Sequence, residues 1–546
     1  MPMNKRLTAL LYLFLCFFLP APGSGEAPEA LFSLQDLSLK DAADAERIAL
    51  GGQSLSLSGS GTYVLSGEIQ DGAISVTVEE DDLLYLLLDG VTVSNSKGPA
   101  LCIEGDGKVI VTLCKESVNT LIQGVAEPEG KHSSAAVFSK GPLTLNGSGA
   151  LIINGNYKDG IDCRDELRIV SGTIAITAFQ DALTGKKGVT IGGGNLTAVS
   201  ETGDAVKAAG NKNDPGCITI CGGILSLTTG QGAQSAAFQA GAPDSTAPAA
   251  QASASEPGRS QKGLTAKGTI IISAGSIQAD TAADCIHARD VLIQGGILAL
   301  SSGDDAVHAE RSLTLSGGEV TIERAYEGLE AAQIYLHDGL VSITAFDDGI
   351  NGAGGDSSSE AGSTALGASL TPFSPSSSTG SLFISGGTYT VISDGDGVDI
   401  NGDIEMSGGT LFVRGAQNSM NAAVDYDGTF TMTGGTLLAL GMSGMAQDIS
   451  DPSVPGAMLD LSGGAVSICD ESGNELFSFS PDGAYDSAVV YSEAFANGGT
   501  YLLSTGDEVR SFTAAAGSVS RRGGPPADSA GVPEQSQKAA PEPDNP

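Results

Sequence analysis

Apolar and polar positions along this chain alternate in short runs, with Val, Ile, Leu and Thr at every second place between clusters of glycine, asparagine and aspartate. Runs of this kind read as half-buried β-strands. In DDAVHAERSLTLSGGEVTIERA (304–325) the alternation puts Val307 and Ala309 inward and His308 outward. Leu313 and Leu315 follow inward, Gly317-Gly318 turns the chain, and Val320 and Ile322 point in again. The next copies are YEGLEAAQIYLHDGLVSITAF (326–346) and DDGINGAGG (347–355). A fixed period of about 22 residues signals a solenoid. With three short strands per turn, stacking in parallel about 4.8 Å apart, the pattern predicts an all-β fold, a parallel β-helix. The handedness of parallel crossovers makes it right-handed. Helical periodicity is absent, so leucine-rich and ankyrin-type repeats fit poorly.

The register defines two outward slots per turn with one inward aliphatic residue between them. The first slot holds Asp159, Asp181, Asp204, Asp284, Asp305, Glu327, Asp348 and Asp396, with Asn418 filling it once. The second, three residues on, holds Asp162, Thr184, Lys207, His287, His308, Glu330, Asn351, Asp399 and Asn421. Between them lie Ile161, Leu183, Val206, Ile286, Val307, Leu329, Ile350, Val398 and Met420. Stacked turns therefore stack acids.

The rest of the chain frames this array. Residues 1–25 read as a secretory signal peptide, with a basic start at Lys5 and Arg6 and an apolar run from Leu7 to Leu19 too short to span a bilayer. Cys16 follows Leu15 rather than a small residue, which argues against a lipoprotein. A secreted, extracellular or cell-surface protein is expected, without membrane insertion after cleavage. Residues 26–50 read as a leader, 51–157 as irregular early turns, and 158–441 as the regular β-helix. Ala/Ser/Pro/Gly-rich inserts at 240–261 and 357–380 interrupt it. Residues 442–520 read as a β-rich C-terminal cap over the open edge, and 521–546 as a disordered tail.

Composition adds charge. The net charge of −38 disfavours nucleic acid and anionic membranes and favours divalent cations. Of eight cysteines none has zinc-type spacing; they read as core fillers, with Cys217 and Cys221 pointing inward. Carboxylates one turn apart repel, by about 4 kcal/mol at 4 Å and an effective dielectric of 20. Ca2+, which takes 6–8 oxygen ligands, would relieve this. The densest candidate set is Asp304, Asp305, Glu327, Glu330, Asp347, Asp348 and Asn351. A second is Asp394, Asp396 and Asp399, and a third Asp159, Asp162 and Asp181. Solvated turn aspartates are the alternative reading. His287 and His308 read as a surface ladder rather than zinc ligands, and Tyr157, Phe179, Tyr326 and Phe346 as an aromatic cover for the turn corner.

The stretches NGNYKDGID, DDAVHAE, YEGLEA and DDGINGAGG resemble the clostridial-type calcium-binding carbohydrate-binding domain proteins. The earlier GTYVLSG and LDGVTVSNSKGPA, and the closing YDSAVVYS and GGTYLLSTG, are similar too. The resemblance implies a β-helix shaped like the pectate lyases, bound calcium at the acidic slots, and a plant cell-wall polysaccharide partner, cellulose or polygalacturonate (pectin). Three functions compete: a non-catalytic carbohydrate-binding protein, a calcium-dependent polysaccharide lyase, and a surface adhesin. A lyase needs a basic residue beside calcium, for which Lys207 is the first candidate and Arg324 the second. The reading adopted is the non-catalytic one, as a monomer.

Overall fold

The structure, a computed structural model, describes residues 31–40, 43, 45–127, 135–235, 260–353, 380–461, 463–506 and 508–517. The expected signal peptide, nearly all of both inserts and the C-terminal tail lie outside the described residues. The fold is all-β. A 34-stranded sheet winds through the chain, and its strands pair in parallel from Glu46–Gly51 onward, a β-helix-like arrangement. Among the described residues no helix is long and apolar enough to cross a membrane.

One column of inward residues runs the length of the regular part: Ile161, Leu183, Val206, Leu264, Ile286, Val307, Leu329, Ile350, Val398 and Val424, each paired with the next. All ten are buried and belong to one continuous apolar core. Each such side chain contributes about 1.5–3 kcal/mol on leaving water. The interior is thus a packed stack, and this fixes where the intervening polar side chains can go.

The register departs from the sequence expectation in two places. A turn through Lys262–Leu264–Thr265 sits between those of Asp204 and Asp284. At the other end, Asn418, Met420 and Asn421 are not in the slots: Met420 is 62% exposed, and Val424 and Asp425 stack on Val398 and Asp399. A longer connection before this last turn displaces the slots by four residues, which period counting does not detect. Three short strands per turn are present early, as in Glu166–Ile169, Thr173–Ala178 and Leu183–Gly185, but farther along the pieces fuse. Val307–Ala325 runs unbroken past the bends, absorbing them as register shifts, with Gly318 at φ 93 supplying one backbone reversal.

The C-terminal end is covered. Ser487–Ser492 pairs antiparallel with Phe430–Gly441 and Gly456–Asp460, so the last turn has no bare edge there. A four-stranded antiparallel sheet of Val466–Cys469, Glu475–Phe479, Thr500–Thr505 and Glu508–Thr513 packs on the helix flank, with Phe479 stacked on Phe412. At the N-terminal end, pairing begins at Glu46, inside the expected leader. Residues ahead of it grip the outside of the stack. Phe32 is buried, and Asp36 accepts from Thr144 Oγ1 at 2.5 Å and pairs with Lys108 at 2.7 Å. Burial opposes the Asp36 charge, but the Lys108, Ser33 and Thr144 contacts outweigh it and hold its pKa down at about 2. Asp36→Ala leaves Thr144 without its carboxylate acceptor and Lys108 with only the Ser33 hydroxyl. We expect a loss of about 3 kcal/mol in chemical denaturation; a loss below about 1 kcal/mol would show that this segment does not anchor the fold.

The seven described cysteines are all free. Cys102, Cys163 and Cys285 are buried as expected, but Cys217 is exposed and Cys221 half-buried. Ile218 and Ile220 take the inward positions of that strand, and the two-residue period turns the cysteines out.

Candidate metal centre

The acids sit where one turn passes into the next. Backbone hydrogen bonds stack Asp159, Asp181, Asp204, Lys262, Asp284, Asp305, Glu327, Asp348, Asp396 and Ala422 in a single line. The first slot is not the outward, solvated position the alternation suggested. Asp159, Asp204, Asp284 and Asp305 are buried, because their carboxylates lie against the neighbouring turn. Asp159 accepts the amide of Asp181 at 3.2 Å, Asp181 that of Asp204 at 2.9 Å, and Asp204 that of Lys262 at 3.0 Å. Asp348 accepts the amide of Asp396 at 2.7 Å, and Asp396 that of Ala422. Aspartate here ties consecutive turns with one oxygen and leaves the other for a cation.

The N-terminal part of the line carries its own cations. Lys158 lies 3.4 Å from Asp159, Arg164 2.7 Å from Asp162, and Lys207 3.1 Å from Asp181 and 2.9 Å from Asp204. Lys262 takes an acid's place and lies 2.6 Å from Asp284. Asp159, Asp162 and Asp181, the third expected calcium set, thus have cationic side chains beside them, although burial outweighs Lys158 and pushes Asp159 up to about 6. Burial lowers the Lys207 pKa, but the Asp204 and Asp181 charges outweigh it and hold the ammonium above the ordinary lysine range. A lysine held protonated is unsuited to act as a base. Arg324, the second candidate, has its guanidinium 5.1 Å above the Phe346 ring.

The C-terminal part has an amide and an imidazole beside its acids instead. Asn351 Nδ2 donates to Glu327 at 2.8 Å, and His308 Nδ1 lies 3.0 Å from Glu330. The carboxyl pKa values rise accordingly. Burial, then Asp347 and Asp396, push Asp348 up to about 8. Burial, then chiefly Asp425, pushes Asp396 up to about 7. Asp305 is raised by burial with the Asp284 and Glu327 charges, Glu327 by burial with Glu330, and Glu330 by burial with Asp305. Asp304 and Asp399 are raised by burial and then by Asp284 and Asp425 respectively.

Four groups of donor atoms converge among the described residues. Oxygens of Asp348, Asp396 and Asp399 lie within 4.8 Å of one another, as do those of Asp284, Asp304 and Asp305, the donors of Asp305, His308 and Glu330, and those of Asp284, His287 and His308. The first and second expected sets are thus one continuous column, because Asn351 pairs directly with Asp399 across the 357–380 insert. Asp394 stands apart, half-exposed and 3.3 Å from Arg414. Asp425, absent from the sequence-based sets, stacks on Asp399; the match of AVD (423–425) to GVD (397–399) was the signal for it.

The all-oxygen group fits a hard cation. Asn351 Oδ1 is buried with no hydrogen-bond partner among the described residues. Gly395 faces the Asp347 and Asp348 carboxylates so closely that a Cβ would stand 2.5 and 2.7 Å from their oxygens. Residues 347, 348, 351, 396 and 399 together offer the oxygen density calcium takes.

Comparison with known proteins adds the family. Residues 51–306 match the carbohydrate-binding domain-containing protein family. The resemblance read from the motifs is thereby shown for that stretch. A carbohydrate-binding domain-containing protein of Acetivibrio thermocellus (strain ATCC 27405) is 27% identical over 142 residues, 25% of this chain and 50% of the relative. The chain thus spans about half the length of this curated relative. A solved polysaccharide lyase-like protein from C. thermocellum, a gadolinium derivative, aligns at 22% identity and a TM-score of 0.37, over 47% of this chain and 90% of that one. The carbohydrate-binding family match ends at residue 306, so the residues of the C-terminal acid column beyond it stand on geometry alone.

Proposed function

We propose that this is a secreted, monomeric, non-catalytic carbohydrate-binding protein, a right-handed parallel β-helix stabilised by calcium, that takes plant cell-wall polysaccharide, cellulose or polygalacturonate. The carbohydrate part rests on the family match over residues 51–306. The observation that carries calcium is the convergence of Asp348, Asp396 and Asp399, with Asn351, whose buried Oδ1 has no partner among the described residues, paired to Asp399 on the adjoining turn. Bound calcium would supply positive charge between turns and an attachment point for a uronate carboxylate on a chain of net charge −38. Asp396 and Asp348 hold the turns in register through their amide bonds, so the ligand oxygens are prepositioned. Lys207, tied to Asp181 and Asp204, supports the non-catalytic reading over the lyase.

The test is affinity electrophoresis on cellulose and polygalacturonate with calcium or chelator, run beside an ultraviolet assay for unsaturated product. Calcium-dependent retardation by polygalacturonate, without product, is expected. Product formation would replace this reading with the lyase, and no retardation by either glycan would remove the carbohydrate ligand proposed.

A further inference from the structure

Two of the chain's four histidines stack on adjacent turns of the acid column, which a pure oxygen site for calcium does not need. His287 pairs with His308, and His308 with Glu330, so imidazoles replace carboxylates in the second slot midway along the line. We infer that Asp305, His308 and Glu330 form a separate metal centre for an imidazole-accepting first-row divalent ion of the zinc class. This revises both the calcium assignment of Asp305 and Glu330 and the reading of His308 as a surface ladder residue. It does not rest on the calcium site at Asp348.

The donors point at one another. His308 Nδ1 lies 3.0 Å from Glu330 Oε2 and 3.3 Å from Asp305 Oδ2. Ligands about 2.0–2.2 Å from a tetrahedral zinc stand roughly 3.3 Å apart; the two separations from His308 are close to that, and all three atoms lie within 4.8 Å of one another. Calcium prefers six to eight oxygens and longer bonds, whereas imidazole suits zinc, copper, iron and nickel. Asp305 is buried and His308 and Glu330 half-buried, so the ion would be screened from bulk water but reachable.

His287 packs beside this centre rather than joining it. Its ring centroid is 4.7 Å from that of His308, but its Nδ1 lies 2.7 Å from both Asp284 Oδ2 and Lys262 Nζ. The Lys262 ammonium repels a second ion at that turn, which places the metal on the Glu330 side. Three protein ligands leave one position for water or a ligand oxygen.

The test is calorimetric titration of chelator-stripped full-length protein with Zn2+ in saturating Ca2+, using wild type, His308→Gln and the double variant Asp348→Asn/Asp396→Asn. Wild type is expected to take one Zn2+ that excess calcium does not displace. His308→Gln should weaken it at least tenfold with an unchanged melting temperature in the metal-free form, and the double variant should keep zinc while losing calcium. Co2+ added to wild type, which needs no variant to fold, should give an intensified visible ligand-field band. Absence of zinc uptake, displacement by calcium, equal affinity in His308→Gln, or an unchanged aquo-cobalt spectrum would each overturn the inference. A double variant that binds calcium normally would remove the calcium site and leave this one standing.

Discussion

Stripped of divalent cations, the protein is expected to lose stability as pH rises from about 4 to about 8, and added calcium is expected to remove the part of that loss that arises at Asp348 and Asp396. The sign follows from the raised carboxyl pKa values. Ordinary carboxyls release their protons near pH 4 in the unfolded chain. In the folded protein Asp348 holds its proton up to about pH 8 and Asp396 up to about 7, with Asp305, Glu327 and Glu330 also raised. Between those limits the native state binds more protons than the unfolded state, so stability declines with pH. Each raised carboxyl contributes up to about 1.4 kcal/mol of that decline for every pH unit between its unfolded and its folded pKa. A cation held by the same oxygens favours the charged forms. At a free concentration about a thousandfold above its Kd it adds about 4 kcal/mol. Melting curves from pH 5 to 8, with chelator and with calcium, check this. A chelated protein equally stable at both ends of the range would contradict it.

The second large effect is expected at Lys207. Its ammonium sits 2.9 Å from Asp204, which is fully buried, and 3.1 Å from Asp181. Lys207→Met leaves a buried carboxylate without its cation, a change that costs about 3–5 kcal/mol. The double variant Lys207→Met/Asp204→Asn should recover most of that, because the stranded charge is removed with its partner. Urea denaturation of the three proteins measures it. A single variant as stable as wild type would show the pair to be solvated, and would reopen Lys207 as a group free to exchange protons.

Much of this was legible in the alternation alone. The inward line from Ile161 to Val398 and the parallel stacking follow from which residues are aliphatic, since a one-residue slip would expose every one of them. The acids of the first slot were found for the same reason. Their burial was not legible, because alternation says which side of a strand a residue takes but not that a corner side chain turns along the stack to reach the next amide. Nor was the division of the column. Lys262 lies behind a long insert and breaks the acidic pattern, so its turn went unseen, yet it is this lysine that neutralises Asp284. Asp425 was hidden by the longer connection before it. Phe32 and Asp36, gripping the outside of the stack, carry no periodic signal at all.

The central claim, that the C-terminal acids form a cation site rather than a ladder of turn residues, is tested most directly by calorimetric titration of calcium into chelator-stripped protein at about pH 7.5, where ordinary carboxyls are fully ionised. The account predicts saturable uptake by wild type that is lost in Asp348→Asn/Asp396→Asn and unaffected by Asp162→Asn, whose carboxylate is paired with Arg164. Equal uptake by all three proteins, or none by wild type, would contradict it.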